Sequence, residues 1–155
     1  MRLLAILLLL LCSVAVQAQS EGERVRAWTL EDQFGDDVMI APDTRLLLVA
    51  SSRKAADVVN EALEGLPEGF LESNMALYVA DVSRMPKMIT RMVMVPAMRS
   101  ASYSVLLDYD SKVAPAHLGQ GDEVLWLGLE GLVVEERRTF DSPEALRQAL
   151  EALPR

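Results

Sequence analysis

The first group of residues whose side chains could bind a ligand is Ser51, Ser52, Arg53 and Lys54. They follow an apolar run and precede a helical pattern, so free N–H groups at the start of a helix and two cations could together hold an anion or a carboxylate. The simpler interpretation is that a serine caps the helix while both cations are solvated, and we favour it.

A second group consists of thioethers, which are soft ligands for Cu(I). Met85, Met88 and Met92 recur at helical spacing and fall on one face of a predicted helix. Ile89 and Val93 share that face, and methionine commonly fills gaps in a hydrophobic core. We therefore predict that this face packs in the core, and a Cu(I) site at the three methionines is the alternative.

The same predicted helix could also form an interaction surface. Its basic stripe consists of Arg84, Lys87 and Arg91. This stripe could dock an acidic partner or a lipid headgroup, although a solvated face is the simpler interpretation. Four further residues lie off the predicted core face or just beyond it, namely Met94, Val95, Pro96 and Met98. They predict an apolar patch rimmed by charge, as binding surfaces often are.

Other catalytic and metal-binding patterns are absent or weak. Asp108, Asp110, Asp122 and Glu123 could approach a hard cation such as calcium, but their spacing matches no EF-hand and turn chemistry explains them better. The only histidine, His117, cannot supply a multi-histidine zinc site, and we expect it to be exposed. No serine has the nucleophile-elbow pattern, and no glycine-rich nucleotide motif occurs.

Composition narrows the classes of partner. The chain has 155 residues, with 15 Lys and Arg against 23 Asp and Glu, and a formal net charge of -8 at pH 7. Affinity for nucleic acid depends mainly on clustered positive charge, and no Lys- or Arg-rich run is present, so we expect no nucleic-acid partner. The length fits one globular domain.

The first 18 residues predict a signal peptide. Arg2 precedes an apolar run at 3–16, and a cleavage motif ends at Ala18. The run is shorter than the roughly 20 residues of a membrane-spanning helix, so we favour a removed signal peptide over a retained anchor. We expect a periplasmic domain at 19–155 with no stable span after cleavage. The single cysteine, Cys12, lies in this leader. The mature protein would then have no thiol, which excludes thiol redox chemistry and disulfides.

Hydrophobic patterns predict alternating strands and helices along the mature chain. The continuous apolar run at 45–50 is typical of a central strand that is covered on both faces. Gly65 and Pro67 are expected to end the first helix, and Pro96 the second. Strands are predicted at 25–30, 38–40, 45–50, 75–80, 103–110, 124–129 and 132–138, and helices at 53–64, 86–95 and 143–153. This order predicts a three-layer α/β fold with a mixed central sheet flanked by helices.

Four segments, taken in order, carry a resemblance to a known family. They are the opening Trp28-Thr29-Leu30-Glu31-Asp32-Gln33-Phe34-Gly35, the strand at 105–108, the hairpin at 124–133 and the helix at 142–153. From Leu46 to Leu153 the layout resembles the thioredoxin superfamily, and more closely its periplasmic peroxiredoxin-like and thiol-disulfide oxidoreductase-like branch. The resemblance implies a thioredoxin-like fold.

The chain departs from that branch at the residues that carry its chemistry. Where the branch has its catalytic cysteines, this chain has Ala50-Ser51-Ser52-Arg53-Lys54-Ala55. The proline that precedes the strand starting at Val124 is also missing, and Pro115 lies several residues too early. Activity should not be inferred from a fold alone. We therefore expect that the protein is not an enzyme and that it binds no cofactor.

The function that remains is binding. We expect an interaction module for another periplasmic or envelope protein, with the helix at 84–98 as its surface. The relic of the active site at 51–54 is the alternative surface, and a Cu(I)-handling protein is the alternative function. Catalysis by Ser51 or Ser52 has the least support, because no base is evident nearby in the sequence.

Overall fold

The computed structural model describes residues 22–113 and 121–154. The expected leader at 1–18 lies outside these residues, as do Cys12, Pro115 and His117. Within the described part of the chain, no helix is both long enough and apolar enough to cross a membrane.

A mixed seven-stranded sheet forms the centre of the molecule, with strand order β2-β1-β5-β4-β3-β6-β7. Strands β3, β4 and β5 are parallel, and the other pairings are antiparallel. The strands are β1 (Thr29–Asp32), β2 (Asp37–Met39), β3 (Leu46–Ala50), β4 (Ala76–Asp81), β5 (Leu106–Asp108), β6 (Val124–Glu130) and β7 (Val133–Phe140). The predicted α/β class with a mixed sheet is confirmed.

Strand β3 occupies the central position that its composition predicts. All five of its residues are buried, and it pairs with β4 on one side and β6 on the other. A strand covered on both faces has no need of polar alternation, which explains the continuous apolar run.

Four helical regions accompany the sheet. They are α1 (Arg53–Leu63), α2 (Phe70–Ser73), the run of α3 (Lys87–Ile89), a π-helical turn (Thr90–Met94) and α4 (Val95–Met98), and finally α5 (Pro143–Glu151). We call the continuous run from α3 to α4 the 87–98 helix. Gly65 has a φ of 76° just after α1 ends, as the sequence predicts, whereas the short α2 was not predicted.

The two faces of the sheet are covered differently. Alternate residues of β3, β4 and β6 pack against buried residues from α1, α2, α4 and α5. On the other face, Leu47, Val49 and Leu127 pack with Val25, Ile40 and Leu132 instead. Among the described residues, this second cluster consists of residues from strands, turns and loops and contains no helical residue.

Two turns follow from local chemistry. The Asp32 carboxylate accepts the N–H groups of Phe34 and Asp36 at 2.8 and 3.0 Å, which fixes the turn between β1 and β2. The turn from β6 to β7 consists of Gly131 and Leu132, both with positive φ. This is the type I′ geometry that two-residue hairpins prefer.

Two predicted strands are clearly shorter than expected, and the one predicted at 25–30 is observed as β1 at Thr29–Asp32. The pattern predicts a strand over 103–110, but β5 covers only Leu106–Asp108. The side chain of the buried Gln33, just after β1, bonds to the chain before β5: its Nε2 donates to the Tyr103 carbonyl and its Oε1 accepts the Val105 N–H, both at 2.8 Å. On its β1 side, this part of the chain thus pairs with a side chain rather than with a strand.

Candidate functional site

The start of α1 is the place where a thioredoxin-like active site would lie. Ser52 has extended backbone angles, and its Oγ accepts the Ala55 N–H at 3.1 Å, so it is the N-cap of α1. This confirms the capping interpretation. Ser51 is buried, and its hydroxyl has no hydrogen-bond partner among the described residues. Arg53 and Lys54 are exposed.

The carboxylates at the ends of β4 and β5 accept hydrogen bonds from the loops beside them. The buried Asp108 accepts the N–H groups of Lys112 and Val113 at 2.9 and 2.7 Å. Asp81 at the end of β4 accepts from the Ser83 N–H and the Ser111 hydroxyl, both at 2.9 Å. Within the described ranges, no group of three or more His, Cys, Asp or Glu side chains comes together. Turn chemistry thus accounts for Asp108, as expected.

The basic stripe is only partly assembled. Lys87 Nζ lies 5.9 Å and Arg91 Cζ 5.7 Å from the centre of the Tyr109 ring, within cation–π range. Lys87 Nζ also lies 3.5 Å from Asp110 Oδ1. Arg84 is exposed and joins none of these contacts. The structure therefore brings Lys87 and Arg91 together at Tyr109 and leaves Arg84 apart.

The 87–98 helix exposes the face that we predicted to be buried. Its most exposed apolar side chains are Met88 (72%), Ile89 (50%), Met92 (72%) and Val93 (64%). We call these four residues the Met88 patch. The prediction that they pack in the core is wrong. Only Met85 of the predicted core face is partly buried and packs against the first core cluster.

The prediction of an apolar patch at the end of this helix is also wrong in part. Val95 is buried, and Met94 and Met98 are partly buried, with Met98 packed against the first core cluster. Of that set, only Pro96 is exposed. The apolar surface therefore lies one helical turn earlier than expected, beside Lys87 and Arg91.

The helix also contains an irregular turn. Thr90 and Val95, the two buried residues of the 87–98 helix, are five positions apart. Five is the spacing of a π-helical turn, whereas an α-helix would bury residues three or four apart. The helix also continues past Pro96, which was expected to end it. Pro96 is the one signal in the sequence that could have indicated an irregular turn.

The candidate Cu(I) ligands do not share one environment. Met88 and Met92 are exposed one helical turn apart, but Met85 packs against the first core cluster. Two of the three thioethers therefore lie at the surface, and the third packs against the first core cluster.

The comparisons with known proteins concern the fold. No family model matches the chain, and no curated protein matches its sequence. A solved structure of peroxidoxin BcpB from Mycobacterium tuberculosis is similar, with 16% identity, a TM-score of 0.57 and coverage of 86% of this chain and 96% of that one. The thio-disulfide isomerase from Thermus thermophilus has 18% identity and a TM-score of 0.52, with 85% and 95% of the two chains covered.

StoA from Bacillus subtilis gives a third similarity, with 12% identity, a TM-score of 0.52 and coverage of 81% and 98% of the two chains. At such identities the likeness concerns the fold and not the activity. The sequence has one cysteine, Cys12, so it cannot supply a catalytic cysteine pair within the chain. The resemblance to the thioredoxin superfamily is thus confirmed at the level of the fold: the chain adopts the thioredoxin-like fold without a cysteine pair.

Proposed function

We propose that the protein is a periplasmic interaction module that binds another envelope protein through the Met88 patch and catalyses no thiol–disulfide exchange. The observation that carries the proposal is the exposure of four neighbouring apolar side chains on one helix. Contiguous apolar patches rimmed by charged residues commonly mark interaction sites on protein surfaces. The leader and the export of residues 19–155 are part of this proposal and rest on the sequence.

The composition of the patch supports a protein partner. Methionine is flexible and polarisable, and it is frequent on surfaces that bind partners of varied shape. Burying such a side chain fully contributes roughly 1.5–3 kcal/mol, so a few of them suffice for a binding hot spot.

The cations beside the patch indicate the chemistry of the partner. Lys87 and Arg91 lie on the same helix as the patch and next to Tyr109. Asp110 offsets part of this charge through its 3.5 Å contact with Lys87. A partner that presents an apolar surface with carboxylates at its edge would complement both features.

The proposal is tested by partner capture on immobilised protein. The double variant Met88→Ser, Met92→Ser should lose the captured partner, while its thermal stability stays near that of the wild type. The matched control is Phe34→Ser, which removes an exposed apolar side chain from the β1–β2 turn, outside the patch. Equal capture by the wild type and the double variant would overturn the proposal.

The absence of redox function has its own test. One cysteine cannot form an intramolecular pair, so insulin reduction in the presence of dithiothreitol should proceed at the rate of dithiothreitol alone. Acceleration of insulin reduction would contradict this part of the proposal.

A second candidate function is Cu(I) handling, which the exposure of Met88 and Met92 one turn apart favours. Thioether ligands suit Cu(I), but Met85 would have to leave the core to complete the predicted set. Titration with Cu(I) against a competing chelator distinguishes Cu(I) handling from the function as an interaction module. Uptake of one Cu(I) that Met88→Leu abolishes would support this function, and no uptake at micromolar free Cu(I) would end it.

A further inference from the structure

Methionine is concentrated in one short part of the chain. The sequence has eight methionines, and five of them lie within residues 85–98, namely Met85, Met88, Met92, Met94 and Met98. The single cysteine, Cys12, lies in the expected leader. In the expected mature chain at 19–155, sulfur chemistry is therefore thioether chemistry.

These five methionines divide between two environments. Met88 and Met92 are each 72% exposed and lie one helical turn apart. Met85 and Met98 are partly buried and pack against the first core cluster, and Met94 is also partly buried. A dissolved oxidant therefore has freer access to the two side chains of the Met88 patch than to the other three.

The chemistry open to an exposed thioether is oxidation to a sulfoxide. Hydrogen peroxide transfers one oxygen atom to sulfur: the O–O bond breaks, an S–O bond forms, sulfur loses two electrons and water leaves. Sulfoxide reductases reverse the step with a dithiol as the reductant, and the oxygen leaves as water while the dithiol becomes a disulfide. Oxidation of such a methionine is therefore reversible.

Oxidation at these two positions would change the patch and leave the core as it is. A sulfoxide oxygen is a hydrogen-bond acceptor, and burying it against an apolar partner without a donor is unfavourable. Two of the four apolar side chains of the patch would become polar, and only Ile89 and Val93 would remain apolar. The methionines that pack against the first core cluster would stay reduced, so the fold would persist.

We propose, on the basis of the function proposed above for the Met88 patch, that Met88 and Met92 are a site of reversible oxidation by peroxides. Their conversion to sulfoxides releases the partner, and their reduction restores binding, because sulfoxides disrupt interfaces that depend on methionine. A bound partner in turn covers both thioethers and protects them from the oxidant.

The first measurement is peptide mapping by mass spectrometry while the full chain is treated with hydrogen peroxide. Met88 and Met92 should convert to sulfoxides several times faster than Met85 and Met98. The melting temperature should stay near that of the untreated protein while the first two are converted, because both side chains are exposed.

The second measurement is retention on phenyl-agarose, which reports exposed apolar surface without a partner, together with the partner capture described above. The treated wild type should be retained less and should capture about tenfold less partner. Treatment with sulfoxide reductases for both sulfoxide epimers and dithiothreitol should restore both readouts.

Two double variants locate the effect. Met39→Leu, Met75→Leu removes two exposed thioethers outside the patch, and its retention should fall on peroxide treatment as in the wild type. Met88→Leu, Met92→Leu keeps apolar side chains of similar volume, and its retention should fall much less, each variant being compared with its own untreated form. Both variants keep Cys12, so they also control for oxidation of its thiol.

Three results would overturn the proposal. The first is oxidation of Met85 and Met98 at the same rate as Met88 and Met92. The second is a melting temperature that falls in parallel with the conversion of Met88 and Met92. The third is unchanged retention of the treated wild type, or an equal loss of retention in the two double variants. If the untreated wild type captures no partner, but its retention falls on oxidation only when Met88 and Met92 are present, the proposed function is refuted and the oxidation site is supported.

Discussion

The N–H of Val95 donates to the carbonyl oxygen of Thr90, five residues earlier, in the middle of the 87–98 helix. The widened turn lies directly before Pro96, whose ring in a regular α-helix would collide with the carbonyl of Met92. It places Thr90 and Val95 together against the core. The opposite side of the helix, with Met88 and Met92, is left at the surface.

The first prediction concerns the two faces of this helix. Val95→Ala should lower the free energy of unfolding by about 2 kcal/mol, because it removes buried methyl groups and leaves a cavity. Met92→Ala should change it by less than about 0.5 kcal/mol, because that side chain is exposed. Urea denaturation of both variants measures the difference. A larger loss in Met92→Ala than in Val95→Ala would contradict the assignment of faces.

The second prediction concerns Gln33. Gln33→Leu should destabilise the fold by about 3 kcal/mol, because it leaves the Val105 N–H and the Tyr103 carbonyl unsatisfied. The matched substitution Gln148→Leu on the exposed side of α5 should change the unfolding free energy by less than about 0.5 kcal/mol. If the two variants denature at the same urea concentration, the role given to the Gln33 amide is wrong.

The third prediction concerns the start of α5. The Ser142 hydroxyl donates to Glu144 at 2.7 Å, and this hydrogen bond lowers the pKa of the Glu144 carboxyl. Ser142 Oγ also caps the helix by accepting the Ala145 N–H. Ser142→Ala should cost about 1 kcal/mol of stability as a lost N-cap. It should also raise the pKa of Glu144, which an NMR titration would detect.

The pH dependence of that loss has a definite sign. A carboxyl whose pKa is lowered by folding stabilises the protein above its unfolded pKa, and the contribution disappears as the pH falls through the folded value. The cost of Ser142→Ala should therefore be larger at neutral pH than in acid. Ser52→Ala is the control, because α1 has no acidic residue in its first turn. A pH effect of equal size in both variants would refute the coupling.

Local signals in the sequence were sufficient for much of the fold. The unbroken apolar run of β3 indicated a central strand, the serines at 51–52 indicated the start of α1, and the helix predicted from 143 begins where α5 does, as the structure confirms. Each of these predictions depends on residues within a few positions of one another. Their physical cause is local, so sequence patterns can reveal it.

The buried side of the 87–98 helix and the start of β5 were harder to predict, because they depend on contacts with other parts of the fold. Thr90 is polar but fully buried, and Val95 joins it on the buried side through a π-helical turn that a regular helical period does not include. The chain before β5 bonds to Gln33, which is 70 residues away from Tyr103 in the sequence.

The most direct measurement of the central claim is photo-crosslinking in the native host, with benzoylphenylalanine at position 92 of the full chain. The control places the same probe at Glu61, an exposed residue of α1 outside the Met88 patch. We predict one discrete adduct of higher mass from position 92 that disappears when Met88→Ser is added, and no such adduct from position 61. The absence of any adduct from position 92, or the same adduct from both positions, would contradict the assignment of the Met88 patch as the binding surface.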